Sequence, residues 1–195
     1  MASQTHILAS HILSHILASH ITDPDNREMY SGFISLLLNQ CHLQNEADLI
    51  IGKLANKMDY HEVETMAFHL SLQLHYLEDK GFSLLFWQPS DILRLHDGLD
   101  KTIYLLANLS QMVPLDKKNR NELVLVYPTV YPFPIERCAP ELLKMNALPF
   151  RTHRSASYYS LALLCLLYLS LDEIKGSRLF YFLERCLKER TLLYL

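Results

Sequence analysis

Glycine, tryptophan and cysteine are scarce in this chain, and no hydrophobic run is long enough for a membrane span. Five glycines are scattered singly through 195 residues, which leaves no glycine-rich loop to cradle nucleotide phosphates. Cys41, Cys138, Cys165 and Cys186 stand far apart with no CxxC pair, so neither a zinc clip nor a redox couple is indicated. A reducing, intracellular compartment is the simpler expectation. The longest apolar stretch, Tyr158 to Leu169, falls short of the roughly 20 residues a spanning helix needs, and it predicts a core helix. No signal peptide is recognised. Eighteen Lys and Arg against 21 Asp and Glu give a formal net charge of -3. Without a long basic run, nucleic acid is not an expected partner. The densest basic spot, Lys117 to Arg120, has the character of a solvated loop.

What is present is apolar material. Half of the residues are hydrophobic, enough for one domain with a sizeable core. Residues 1–26 are set apart from it as a low-complexity segment of HIL units, and residues 27–195 form the expected domain. His11 and His15 lie one helical turn apart and could share a metal. The spacing of five, four and five along His6, His11, His15 and His20 instead rotates the imidazoles around a helix. A biased appendage is therefore expected, closed by turn-forming residues at Thr22 to Asn26.

From Arg27 the pattern is helical, with segments near Glu28 to Asn39 and Glu46 to Met58. The clearest runs from Glu62 to Asp79, where Val63, Met66, Leu70, Leu74 and Leu77 recur at helical spacing, and Gly81 ends it. "DILRL" and "TIYLL", separated by "HDG", predict a hairpin, and "ELVLVY" a small strand. "YPTVYPFPIERCAPE" must be extended or looped because each proline restricts itself and its predecessor. Helices follow near Pro140 to Met145, Ser155 to Ser170 and Ser177 to Leu187. The expected fold class is α+β, predominantly α-helical, with a small β-hairpin.

The order of these segments resembles the C-terminal lobe of the eukaryotic-type protein kinases. "GFSLLFWQPSDIL" is similar to the catalytic-loop pattern G-[IV]-x-H-R-D-[IL]-K-P-x-N-I-L, with Gly81, Pro89, Ile92 and Leu93 matching. "IYLLANLS" falls where a kinase has the strand leading into DFG, "APE" at Ala139 to Glu141 is intact, and "YYSLALL" stands where kinases carry D-x-W-S-L-G. "LPFRTHRSASYYSLALLCL" and the "LLYL" ending resemble the kinase-like proteins of large DNA viruses. The resemblance covers residues 28–195 and includes no recognisable N-terminal lobe.

What the resemblance implies is a lost active site. Phosphoryl transfer needs a base, metal ligands and a phosphate-binding lysine. In this register Leu84, Leu85 and Phe86 replace the His-Arg-Asp of the catalytic loop, Gln88 replaces its lysine, and Leu106, Ala107 and Asn108 replace DFG. Asp91, at the catalytic-loop asparagine, is the one remaining candidate for a cation or nucleotide, and a single carboxylate is a poor magnesium site. No cofactor is expected. Glu141 would keep the structural ion pair of the APE glutamate, with Arg190 as its partner. Ser157 stands where kinases have the aspartate that anchors the catalytic loop. The expected function is a catalytically inactive pseudokinase that binds or scaffolds another protein, viral or host, or a second copy of itself. Two alternatives are a residual serine/threonine kinase using Asp91 with Asp97 or Asp100, and a structural virion component. The ten histidines include no set that a nucleophile elbow would complete.

Overall fold

A computed structural model describes residues 14, 26–41, 50–96, 101–126 and 134–188. The HIL repeat therefore lies outside the described residues except for Ser14. Helix α1 (Arg27–Cys41) packs against the long helix α2 (Tyr60–Asp79). A capping box starts α2: the Glu62 amide donates to Asp59 Oδ1 at 2.9 Å, and the Asp59 amide donates to Glu62 Oε2 at 3.1 Å. Together they satisfy two otherwise orphaned amides. The helix stops at Lys80, and Gly81 follows with φ +89°, a backbone that glycine adopts at no steric cost.

Seven strands are described: β1 (Ile50–Lys53), β2 (Phe82–Leu84), β3 (Ile92–His96), β4 (Thr102–Leu106), β5 (Met112–Pro114), β6 (Glu122–Leu125) and β7 (Phe150–His153). They form three small antiparallel sheets, β1-β3-β4, β2-β5 and β6-β7. The remaining helices are α3 (Pro140–Leu143), α4 (Ser155–Cys165) and α5 (Arg178–Leu187). No described helix is long and apolar enough to cross a membrane.

This architecture corrects the expectation of a predominantly helical fold with one hairpin. The hairpin exists, as β3 and β4 paired from Ile92↔Leu106 to His96↔Thr102, but it supplies only two of the seven described strands. The helix expected near Glu46 to Met58 is instead strand β1, whose "IIGK" pairs with Leu93 to His96. Strands β2, β5 and β7 span three or four residues each, too short to show a period. They are strands because a distant segment supplies their ladder, as when Phe82–Leu84 meets Met112–Pro114.

The core is divided in two. The larger part joins α1, α2, the β1-β3-β4 sheet, α4 and α5; the smaller joins Leu85, Phe86, Val113, Leu115, Leu123, Leu125 and the Cys138–Leu142 region. Two polar residues on the buried face of α2 close the free edge of β4. His69 Nδ1 accepts from the Tyr104 amide at 3.3 Å, Gln73 Oε1 accepts from the Leu106 amide at 2.9 Å, and Gln73 Nε2 donates to the Tyr104 carbonyl at 2.9 Å. A covered edge has no open ladder for another chain. Burial holds the His69 imidazole down at about 4, so the ring is neutral with its proton on Nε2, as acceptance at Nδ1 requires.

Candidate functional site: the loop between β2 and β3

The loop begins where β2 is already tied to a distant segment. The β2-β5 ladder is extended by the Leu85 amide donating to the Gln111 carbonyl at 3.1 Å and by the Leu115 amide donating to the Gly81 carbonyl at 2.9 Å. Residues 84–87 then turn in opposite directions. Leu84 and Trp87 enter the larger core, Leu85 and Phe86 the smaller, and all four are at most 2% exposed. The apolar loop is thus the seam between two cores.

Helix α4 braces that seam with two serines. Ser157 Oγ donates to the Leu84 carbonyl and lies 2.8 Å from Ser83 Oγ. Since Ser157 has one hydroxyl proton and gives it to Leu84, Ser83 is the donor in the pair. The Trp87 indole N–H donates to the Ser157 carbonyl at 3.0 Å. The Trp87 amide donates to Ser160 Oγ at 2.9 Å, and that hydroxyl donates to the Arg137 carbonyl. Both hydroxyls are completely buried and fully used, which is what makes their burial tolerable. Ser157 therefore anchors the loop by a hydroxyl at the position where the resemblance implies a carboxylate. Ser83, Ser160 and the Trp87 indole escape sequence reasoning; the only signal was a small polar residue inside an apolar run.

Beyond Trp87 the chain makes a 3-10 turn, Pro89–Asp91. The Asp91 carbonyl accepts from the Ala107 amide at 2.7 Å, while the Ala107 carbonyl accepts from the Tyr30 hydroxyl at 3.0 Å. The Asp91 side chain is 8% exposed and accepts from Asn108 Nδ2 at 2.9 Å. Burial raises its pKa, opposed by bonds from Asn108 and Ser90 and by the Arg137 charge. Arg137 Nη1 also donates to Gln88 Oε1 at 3.4 Å.

The candidate positions therefore meet in part. Leu84, Leu85, Phe86, Gln88 and Asp91 share the loop, and Asn108 reaches it. Leu106 is held in the ladder opposite Ile92 and packs into the larger core, and Ala107 contributes its backbone. No three His, Cys, Asp or Glu side chains among the described residues converge as a metal site. Asp97, Asp100 and Arg190 lie outside the described residues. Glu141 is half-buried at the start of α3, so its pairing with Arg190 is not described.

Among the described residues, an ion pair with one buried partner involves other residues. Arg154, just before α4, donates to Glu78 Oε2 at 2.9 Å, and the Tyr158 hydroxyl donates to the same oxygen at 3.2 Å. The Glu78 side chain is 3% exposed. Its pKa is raised, because desolvation outweighs the stabilising Arg154 charge and the Tyr158 bond. This pair ties the end of α2 to the start of α4, on either side of the loop.

No protein-family model, curated protein or solved structure matches the chain.

Proposed function

We propose that this chain is a catalytically inactive protein-kinase-like module, similar to the pseudokinases of large DNA viruses, that acts by binding another protein. The observation that carries the reading is Phe86. At the position the resemblance gives to the catalytic aspartate, it is 2% exposed and packed with Leu85, Val113 and Leu142 in the smaller core. A residue so placed accepts no proton from a substrate hydroxyl. The two serines of α4 hold the backbone around it closed.

The surviving polar pair supports the same reading. Kinases hold magnesium between the catalytic-loop asparagine and the DFG aspartate. Here Asp91 occupies the asparagine's position, and the residue that meets it is the amide of Asn108. Asn108 is the last of the three positions, Leu106 to Asn108, that the resemblance gives to DFG. In that register Leu106 takes the place of the metal-binding aspartate, and the carboxylate of Asp91 meets an amide instead of a metal. One desolvated carboxylate, occupied by an amide donor, is a weak ligand for a hard cation.

The test is thermal melting with and without ATP and magnesium. A ligand at a hundredfold excess over its Kd stabilises the native state by about 2.7 kcal/mol, or about 5 to 10 °C for a domain of this size. The expected outcome is no shift at millimolar nucleotide. A magnesium-dependent rise, lost in Asp91→Ala, would replace this reading with a nucleotide-binding one.

A further inference from the structure

The start of helix α4 is held by an imidazole. Arg154, at the N-cap position, offers no side-chain acceptor to the first turn, and His153, one residue earlier, takes over that task. Its Nδ1 lies 3.1 Å from the Ser155 amide and 2.9 Å from Ser155 Oγ. An amide can only donate, so Nδ1 is bare and the ring is neutral with its proton on Nε2; the Ser155 hydroxyl is then a second donor to the same lone pair. The Ser155 amide is one of the orphan donors of a helix start. Its acceptor here belongs to the side chain type that changes charge in the physiological range. His153 is half-buried, so solvent protons reach it.

Protonation removes this cap. With hydrogen on Nδ1 the ring has no acceptor left; the Ser155 hydroxyl can rotate away from it, but the amide cannot. The new charge also falls at the positive end of the α4 dipole. The charged groups around the ring are Arg151 on β7, Arg154, which bonds Glu78 of α2, and Glu122 of β6, directly opposite His153 in the ladder. Glu122 accepts from Arg151 at 3.2 Å and from Asn119 Nδ2 at 2.9 Å, and Arg151 also bonds Asp116. Two guanidinium groups and a helix start therefore oppose an imidazolium at Ser155, while the carboxylate across the ladder attracts it.

The turn that His153 caps is the one that braces the buried loop. Two residues beyond Ser155, the Ser157 hydroxyl donates to the Leu84 carbonyl and the Ser157 carbonyl accepts from the Trp87 indole at 3.0 Å. We propose that His153 is a pH-sensitive cap. Neutral, it fixes the first turn of α4 and, through Ser157, the seam between the two cores; protonated, it turns from Ser155 toward Glu122 and loosens that turn. The cap is present above the pH at which the ring titrates and is lost below it. Neither the kinase resemblance nor a binding partner is needed for it.

The experiment is an NMR titration of the full chain, labelled at nitrogen and in the histidine rings, from about pH 8 to about pH 5. Trp87 is the sole tryptophan, so its indole signal is unambiguous. The expected result is that the His153 ring, the Ser155 amide and the Trp87 indole shift together with one midpoint. His153→Asn offers an acceptor oxygen near the place of Nδ1 that takes no proton, and it should leave the Ser155 and Trp87 signals flat across the range. His153→Phe has no acceptor and should show the acid-side signals throughout. His69→Gln, which removes the imidazole beside Tyr104, should keep the transition.

A Ser155 amide that stays still while the His153 ring titrates overturns the inference, as does a ring that takes no proton by about pH 5. A Ser155 shift without a Trp87 shift overturns it by confining the cap to its own turn. A transition that survives in His153→Asn with the same midpoint also overturns it and assigns the titration to another group, Glu78 among them. The wild-type titration tests the cap even if neither His153 variant folds.

Discussion

Replacing Phe86 with alanine distinguishes a packed loop from an open cleft. The ring is 2% exposed and packs with Leu85, Val113, Leu115 and Leu123. Truncating a fully buried phenylalanine costs about 3 to 5 kcal/mol, the lost transfer energy plus the cavity left behind. For a chain of this length each kcal/mol lowers the melting temperature by about 2 to 4 °C, so Phe86→Ala should melt about 6 to 20 °C lower. Phe68 supplies the control: it is 52% exposed on α2, and Phe68→Ala should change stability by under about 1 kcal/mol. The assay is differential scanning fluorimetry, with urea midpoints to check that the slope is unchanged. Phe86→Asp should be worse than alanine, because the carboxylate enters a core with no partner. A Phe86→Ala chain that melts within about 3 °C of the wild type, or a Phe86→Asp chain that folds and turns over ATP, refutes the assignment of this loop to packing.

Arg154→Ala should destabilise by about 2 kcal/mol at pH 7, below the range for a fully buried pair because Arg154 is partly exposed. That penalty should shrink on acidification as the abandoned Glu78 carboxylate takes a proton; urea midpoints that differ equally at pH 7 and pH 4.5 contradict it. His69 contributes in the opposite sense. Its folded value of about 4 lies below the unfolded value near 6.5, so the unfolded state binds the extra proton. This contribution is complete above about pH 6.5 and lost as pH falls to about 4, amounting to about 3 kcal/mol. Protonation turns the acceptor facing the Tyr104 amide into a donor. His69→Gln should remove that share of the acid dependence, and a variant whose stability falls with acid as steeply as the wild type's counts against the account. Gly32→Ala should destabilise although alanine is the better helix former. A Cβ there would lie 2.1 Å from the Tyr76 hydroxyl, and overpacking costs about 1 to 3 kcal/mol. Wild-type melting would mean that the Tyr76 ring swings aside freely.

Much of the local structure was legible along the chain, and the reasons are themselves local. The period of Val63, Met66, Leu70, Leu74 and Leu77 and the stop at Gly81 announce α2, and all five apolar residues are completely buried. The branched residues of "DILRL" and "TIYLL" announce the β3-β4 hairpin. Capping chemistry, helical period and turn formation act over a few residues, so the sequence alone determines them. Burial of the "LLFW" loop was likewise implied by its composition. What only tertiary structure decided depends on partners distant in the chain. Strand β1 replaces an expected helix because β3 offers it a ladder, and β2 becomes a strand only against β5. His69 and Gln73 look like errors on an apolar helix face until the β4 edge arrives to bond them. Ser157 looks like a stray hydroxyl on an apolar helix until Leu84 and Ser83 reach it. The bond between Asp91 and Asn108 was not legible along the chain, because the β3-β4 register is what brings the two side chains together. A polar group's meaning is set by the group it bonds, and chain folding alone brings those two together.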